Sequence, residues 1–146
     1  MGWLSNACAA GFAGLALLAA PALTAGPEDR ALPAHALILF GANWCAPCLA
    51  ELRELPAHAA AVAPAPVLLA WTDGAPRPLW SVWPTNAQLV PEGEGAGLLA
   101  RLGGRTAGLP YVVMLDREGR LCADLRGKLT AARLAALKAR CAQAVS

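Results

Sequence analysis

Residues 36–55, which read ALILFGANWCAPCLAELREL, decide the fold of this chain. An apolar run stops at Gly41, and a short polar step leads to the C-x-x-C sequence of Cys45 and Cys48. Apolar residues then recur at helical spacing, so the pattern predicts a strand followed by a helix, with both cysteines at the helix start. Pro47 suits that first turn, because a missing N–H donor costs nothing there and its φ already has a helical value.

The start of a helix makes Cys45 reactive. Unpaired backbone N–H groups and the positive end of the helix dipole stabilise a thiolate there. We therefore expect an accessible, readily ionised sulfur on Cys45 and a reversible disulfide with Cys48. A zinc site would need two further ligands, and the chain has no second C-x-x-C and no H-x-x-x-H, so no metal is expected. Nothing around His35 or His58 assigns either of them a catalytic role.

Composition indicates one domain with one core. The chain has 146 residues, of which 57% are hydrophobic and 15% charged, as in a compact body with a modest polar surface. The formal net charge is only +2, and no run of Lys and Arg is interleaved with aromatic residues. These features exclude nucleic acid as an expected partner.

The N-terminal residues predict export. Residues 1–27 carry no charged side chain, and 7–20 form an apolar stretch of the length found in signal peptides, although a positively charged start is missing. Residues 1–25 are therefore a signal peptide or an uncleaved membrane anchor, residues 26–35 a linker, and residues 36–146 the domain. Cleavage would remove Cys8 and leave four of the five cysteines, an even number that suits an oxidising compartment such as the periplasm.

The middle of the chain predicts a βαβ unit. Pro56 should end or kink the first helix near Leu55, with a short continuation to about residue 63. Residues 67–71 then form a strand parallel to the first, because the crossover is right-handed. The loop at 73–94 has no clear period, and its Trp80 and Trp83 either form a partner-contact patch or pack the loop.

The C-terminal part predicts a short helix at 96–102, strands at 111–115 and 121–125, and a last helix capped by Thr130. The resulting fold class is α/β, with a mixed four-stranded sheet flanked by helices. Strict alternation along 121–125 puts Cys122 on the face opposite to the last helix. Two interpretations of Cys122 and Cys141 stay open, a second disulfide or two separate packing thiols.

Two motifs together resemble the thioredoxin fold. They are Trp44 with the C-A-P-C sequence on a strand-to-helix turn, and Gly108-Leu109-Pro110 at the start of a buried strand. Within that fold the chain is similar to the exported TlpA-like group, which includes the ResA and CcmG type reductants of cytochrome c maturation. The likeness rests on the export signal, on Glu51 three residues after the second cysteine, and on LGGRTAGLPYVVMLDREGRL at 102–121.

The resemblance implies roles for individual residues. Cys45 would attack a substrate disulfide and Cys48 would resolve the mixed disulfide. Pro110 would have a cis peptide bond beside the sulfurs and present the backbone of Leu109 to the substrate, while Trp44 would lie at the rim. The resemblance implies no organic cofactor, a monomer, and two kinds of partner, a disulfide-containing protein and a membrane electron donor of the DsbD or CcdA type.

Two departures from the thioredoxin pattern concern proton transfer and length. Thioredoxin buries an acidic residue beneath its cysteines, where this chain has Leu39. Glu51, one helical turn after Cys48, is either the replacement proton acceptor or a solvated helix residue. The short N-terminus leaves no room for the strand and helix that usually open the fold.

The sequence thus predicts an extracytoplasmic thiol–disulfide oxidoreductase that acts as a reductant. The dipeptide between the cysteines does not determine the direction of electron flow, because similar architectures include both reductants and oxidants. The alternative is a non-catalytic thioredoxin-like module that binds a partner protein or Cu(I) through the same thiols.

Overall fold

The structure is a computed structural model that describes residues 31–76, 83–103 and 108–144. These ranges contain five strands and three helices. In chain order they are β1 (Leu37–Gly41), α1 (Ala46–Val62), β2 (Val67–Trp71), β3 (Ala87–Leu89), α2 (Gly95–Leu102), β4 (Tyr111–Leu115), β5 (Leu121–Arg126) and α3 (Ala131–Ala144).

The strands form one mixed sheet in the order β3-β2-β1-β4-β5. β2 is parallel to β1 and to β3, whereas β4 is antiparallel to β1 and to β5. The predicted α/β class and its mixed sheet are confirmed. The predicted number of four strands is one too few, because β3 carries no strand pattern and is held by pairing of Val67 with Ala87 at the sheet edge.

The first helix continues through Pro56 to Val62, so the predicted continuation to about residue 63 is confirmed and an end near Leu55 is wrong. Pro56 is exposed, whereas the buried stripe of α1 continues on both sides of it to Val62. Packing of that stripe stabilises the second half of the helix and outweighs the hydrogen bond that proline cannot donate.

The core has two layers, one on each face of the sheet. Every residue of β1, β2 and β4 is buried, as expected for strands that helices cover on both faces. One layer contains the buried side chains of α1 and α3. The other contains Phe40 and Tyr111, against which residues of α2 pack.

A β-bulge reverses the predicted direction of Cys122. Leu115 pairs with Leu121 and Met114 pairs with Ala123, so Cys122 is the extra residue between two registered pairs. Its side chain consequently packs against the same layer as Ala123, and the predicted placement of Cys122 on the opposite face of the sheet is wrong. The structure joins Cys122 to Cys141 of α3 by a disulfide with the Cα atoms 4.9 Å apart.

The last helix begins as predicted. Thr130 Oγ1 accepts the Arg133 N–H at 3.3 Å, which caps the first turn. Leu134, Leu137 and Cys141 form the buried stripe that lies against the sheet.

The chain before β1 also packs on the domain. The His35 N–H donates to the Asp116 carbonyl at 2.9 Å, at the turn between β4 and β5. Gly119 in that turn has a φ of +74°, and a Cβ there would lie 2.4 Å from the Leu32 carbonyl oxygen. Glycine is required for both reasons. None of the helices in the described ranges is long and apolar enough to cross a bilayer, and the predicted signal peptide or anchor lies outside those ranges.

Candidate active site

The two cysteines of the C-x-x-C sequence lie at the N-terminus of α1. A disulfide joins Cys45 to Cys48, with the Cα atoms 5.2 Å apart. Cys45 is the N-cap residue, in an extended conformation, and its sulfur accepts the Cys48 N–H at 3.3 Å. Pro47 occupies the start of the helix. The sulfur of Cys45 thus takes the place that a capping oxygen has in most helices.

The first turn of α1 has no acidic side chain to oppose a negative charge on Cys45. Free N–H groups of this turn and the helix dipole favour an anion at the N-cap. The reduced form therefore has a site at which a Cys45 thiolate is stabilised.

The prediction of an accessible Cys45 is wrong for the disulfide form. Cys45 is 3% exposed and Cys48 is 1% exposed. The residues beside Cys45 are exposed instead, Trp44 to 74% of its surface. The sequence pattern shows where the sulfur lies along the helix, but its burial depends on what packs over it.

The sheet brings Pro110 to the cysteines. Phe40 of β1 pairs with Tyr111 of β4, so Pro110 lies next to the end of β1, where the chain turns towards α1. Pro110 is buried, and the Leu109–Pro110 peptide bond is cis. Leu109 is half-buried and contacts both core layers. The C-x-x-C motif and the Gly108-Leu109-Pro110 motif therefore lie next to each other, where the end of β1 meets the start of β4.

Glu51 is a buried carboxylate, so its interpretation as a solvated helix residue is wrong. It is 3% exposed and lies on the same buried stripe of α1 as Cys48. Its Oε1 accepts the Leu129 N–H at 2.9 Å, while Oε2 is buried and has no hydrogen-bond partner within the described chain. An acceptor left this way inside a protein is costly unless it has a function or a bound water.

A small cavity connects these groups. Its volume is about 10 Å³, which is room for about one water. Its lining includes Cys48, Glu51, Pro110 and Leu39, the residue at the position of thioredoxin's buried acid. Trp71 also lines the cavity, and its indole N–H has no hydrogen-bond partner in the described part of the chain. A water in the cavity could therefore accept from this N–H and donate to Glu51 Oε2.

Sequence reasoning missed His58. Its side chain is 7% exposed, and its Nε2 lies 3.3 Å from Glu51 Oε1. That distance is within ion-pair range, but Nε2 makes no hydrogen bond within the described residues. The signal was its spacing, because a residue seven positions after Glu51 lies two turns further along the same helix face.

Of the two loop tryptophans, the structure describes one. Trp83 is partly buried against the core layer of α1, and its indole N–H donates to the Ala87 carbonyl at 2.6 Å. Trp83 therefore packs the loop at the start of β3. Trp80 lies outside the described residues.

No protein-family model matches the chain, and no curated protein does either. Several solved structures do match. DsbF of MTB matches with a TM-score of 0.52 and 18% identity, over 77% of this chain and 82% of DsbF. The exposed lipoprotein thioredoxin of Streptococcus pneumoniae has a TM-score of 0.53 and 24% identity, over 73% of this chain and 84% of the matched chain. The N-terminal domain of PilB from Neisseria gonorrhoeae has a TM-score of 0.54 and 19% identity, over 73% of this chain and 77% of the matched chain.

These matches confirm the fold. The protein has a thioredoxin-like fold, with a C-x-x-C disulfide at the start of its first helix. Within that class, the similarity to the TlpA-like group stays a prediction, because identities of 18 to 24% carry the fold and not the activity.

Proposed function

We propose that this protein is an exported thiol–disulfide oxidoreductase that reduces protein disulfides through Cys45 and Cys48. One observation carries the proposal: the C-x-x-C disulfide lies at the N-terminus of α1 in a thioredoxin-like fold, beside Pro110. A thiolate at a helix start is both a nucleophile and a good leaving group, as disulfide exchange requires.

The reaction begins with the reduced dithiol. The Cys45 thiolate attacks one sulfur of a substrate disulfide, and the other substrate sulfur leaves as a thiolate that takes a proton from solvent. Cys48 then loses its proton and attacks the Cys45 sulfur of the mixed disulfide. The Cys45–Cys48 bond forms, the second substrate sulfur is released, and two electrons have passed to the substrate.

Glu51 is the proposed acceptor of the Cys48 proton. Both residues line the same small cavity, so one water could carry the proton between them. Oε2 is the oxygen available for this step, because Oε1 already accepts the Leu129 N–H. General-base catalysis of this kind accelerates a step by about 10²- to 10⁴-fold.

Trp44 and Leu109 are the proposed contacts for the substrate chain. Trp44 is 74% exposed directly before Cys45, and large exposed aromatic side chains contribute strongly to binding. The backbone of Leu109, next to Pro110, would lie alongside an extended substrate segment.

Export and reduction are proposed together. The uncharged residues 1–27 support export, and the similar pneumococcal structure is an exposed lipoprotein. A reductant in an oxidising compartment needs a supply of electrons, for which the TlpA-like resemblance suggests a membrane donor of the DsbD or CcdA type. The same resemblance suggests a monomer that acts on proteins of cytochrome c maturation.

Insulin reduction by the dithiol form tests the activity. We expect Cys45→Ser to abolish it and Cys48→Ser to trap a mixed disulfide, whereas a double Cys122→Ala, Cys141→Ala control retains it. Equal rates for wild type and Cys45→Ser would instead favour the binding module for a partner protein or Cu(I). The redox potential of the Cys45–Cys48 couple tests the direction, since a value near about −120 mV would indicate an oxidant and one near about −270 mV a reductant.

A further inference from the structure

We propose that His58 is a positioning residue for Glu51, and that the two side chains together hold the proton which Cys48 gives up. The inference rests on the proposed function. It assigns His58 a place in the proton path of the second step, in which Cys48 resolves the mixed disulfide. His58 acts there through Glu51 and not on the sulfur or the substrate.

The two carboxylate oxygens of Glu51 have different contacts. His58 Nε2 lies 3.3 Å from Oε1, and the Leu129 N–H donates to the same oxygen at 2.9 Å. Both contacts therefore lie at Oε1, and Oε2 remains the buried oxygen without a partner in the described residues. Because Oε1 is held on one side, Oε2 is the acceptor left for the cavity shared with Cys48.

Burial explains why Glu51 needs His58. The two side chains are 4% and 7% exposed, and an isolated carboxylate in such a place is strongly disfavoured. Among the residues that the structure describes, the buried polar or charged ones are Glu51, His58 and Asp116. Asp116 belongs to the turn between β4 and β5, where it binds Arg120, so His58 is the buried side chain that can share a proton with Glu51.

The charged groups on the surrounding elements are exposed. Lys128 precedes Leu129, and Lys138 of α3 donates to the Ala61 carbonyl at 3.1 Å. On α1 itself, Arg53 and Glu54 point to solvent. Solvent screens these four side chains, whereas the pair of Glu51 and His58 is shielded from it.

The proton count is balanced within the buried cluster. The step breaks the S–H bond of Cys48 and forms one O–H or N–H bond in the pair of Glu51 and His58. After it, Cys48 is a thiolate and the pair has gained the proton, either as carboxylic acid beside imidazole or as carboxylate beside imidazolium. The total charge is unchanged, so the transfer avoids two anions side by side in the core. The departing substrate thiolate is then protonated by the proton that the pair gives up, which returns the pair to its starting state.

Three variants separate positioning from packing. His58→Gln keeps an N–H donor but cannot be protonated, His58→Leu removes both properties, and Glu51→Gln removes the proposed acceptor. The exposed His35 provides the control, as His35→Asn, because asparagine tolerates its positive φ of 58°. The measurement is the rate at which Cys48 resolves a Cys45 mixed disulfide with a model peptide, between about pH 5 and pH 8.

We expect His58→Leu to slow resolution by about tenfold or more and His58→Gln to slow it less, with a changed pH profile in both. The double variant Glu51→Gln, His58→Leu should be no slower than Glu51→Gln alone, since both act on one path. His35→Asn should match wild type. If the His58 variants keep the wild-type pH profile, or if their effects multiply with that of Glu51→Gln, the inference is overturned.

Two further measurements keep the test decisive. Should the His58 variants unfold, NMR of the folded wild type and Glu51→Gln replaces them: the pH dependence of the His58 ring signals should differ between the two, and that of His35 should not. Identical His58 signals would overturn the inference. Absence of insulin reduction in wild type would instead contradict the proposed function, so the two failures are distinguishable.

Discussion

Both carboxylate oxygens of Asp73 accept the backbone N–H of Asn43, at 2.8 and 2.9 Å, although the two residues are 30 positions apart. Asn43 lies directly before Trp44 and Cys45, and Asp73 follows β2. The parallel strands β1 and β2 end side by side, so the loop after β2 lies next to the loop that carries the cysteines. Asp73 therefore fixes the backbone of the loop that carries Trp44 and Cys45.

Replacing Asp73 should loosen this loop. For Asp73→Ala we expect a loss of about 1 kcal/mol in the free energy of unfolding, because the contact is charge-assisted but exposed to solvent. Insulin reduction should fall several-fold as Trp44 and Cys45 lose their fixed position. Exposed Glu54 supplies the control, as Glu54→Ala. If the two variants reduce insulin equally fast, Asp73 does not position the site.

Reduction should make Cys45 the reactive thiol. In the reduced protein we expect iodoacetamide to modify Cys45 well before Cys48, because Cys45 is the N-cap and the dipole stabilises its thiolate. Peptide mapping after timed alkylation measures both rates. The oxidised protein, in which Cys45 is 3% exposed and disulfide-bonded, is the unreactive reference. Faster labelling of Cys48 would reverse the assigned roles.

Glu51 should increase the rate of disulfide reduction without stabilising the fold. For Glu51→Gln we expect an unchanged or higher free energy of unfolding at neutral pH, because the amide oxygen can still accept the Leu129 N–H and no buried charge remains. Insulin reduction should fall by about tenfold or more. Urea unfolding of the oxidised protein gives the stability, with Glu54→Gln as the exposed control. Destabilisation beyond about 2 kcal/mol would show that Glu51 is mainly structural.

The second disulfide should stabilise the fold without affecting exchange. Cys122 and Cys141 are 19 residues apart, and closing a loop of that size contributes about 3 kcal/mol. We expect Cys122→Ala combined with Cys141→Ala to lower the free energy of unfolding by about that amount and to leave insulin reduction intact. Non-reducing peptide mapping of wild type should recover the linked peptides. Recovery of two free thiols would leave packing as their only role.

Alkaline pH should destabilise the protein through Tyr111. Burial, followed by the nearby Asp124 carboxylate, raises the pKa of Tyr111 from 10.0 to about 12. Above about pH 10 the unfolded chain loses this proton while the folded protein keeps it, so stability is full below pH 10 and is lost as the pH rises towards 12. One pKa unit is worth about 1.4 kcal/mol, so the loss is at most about 3 kcal/mol.

Tyr111→Phe provides the comparison for this titration. The phenylalanine keeps the stacked ring contact with Phe40 but has no proton to lose. Chemical denaturation at about pH 8 and about pH 11 should therefore show a smaller alkaline loss in the variant than in wild type. An equal loss in both would assign the alkaline sensitivity to other groups.

Local signals predicted most of the fold. β2 and β4 have the bounds expected from their apolar runs, and α3 begins at the Thr130 cap with the expected stripe. These elements were readable because periodicity and capping act over a few residues. β3 was missed because its three edge residues obtain their conformation from β2. Pro56 does not end α1, because packing of the buried stripe outweighs a local helix breaker.

The sequence by itself determined that Cys45 and Cys48 share the first turn of a helix, since strand, turn, proline and helical spacing are all local properties. Only the tertiary structure decided that Cys45 is covered in the disulfide form and that Cys122 turns towards Cys141 through a bulge. It also decided that Glu51 and His58 meet away from solvent. Burial and charge pairing depend on which elements pack together, and that information is distributed over the whole chain.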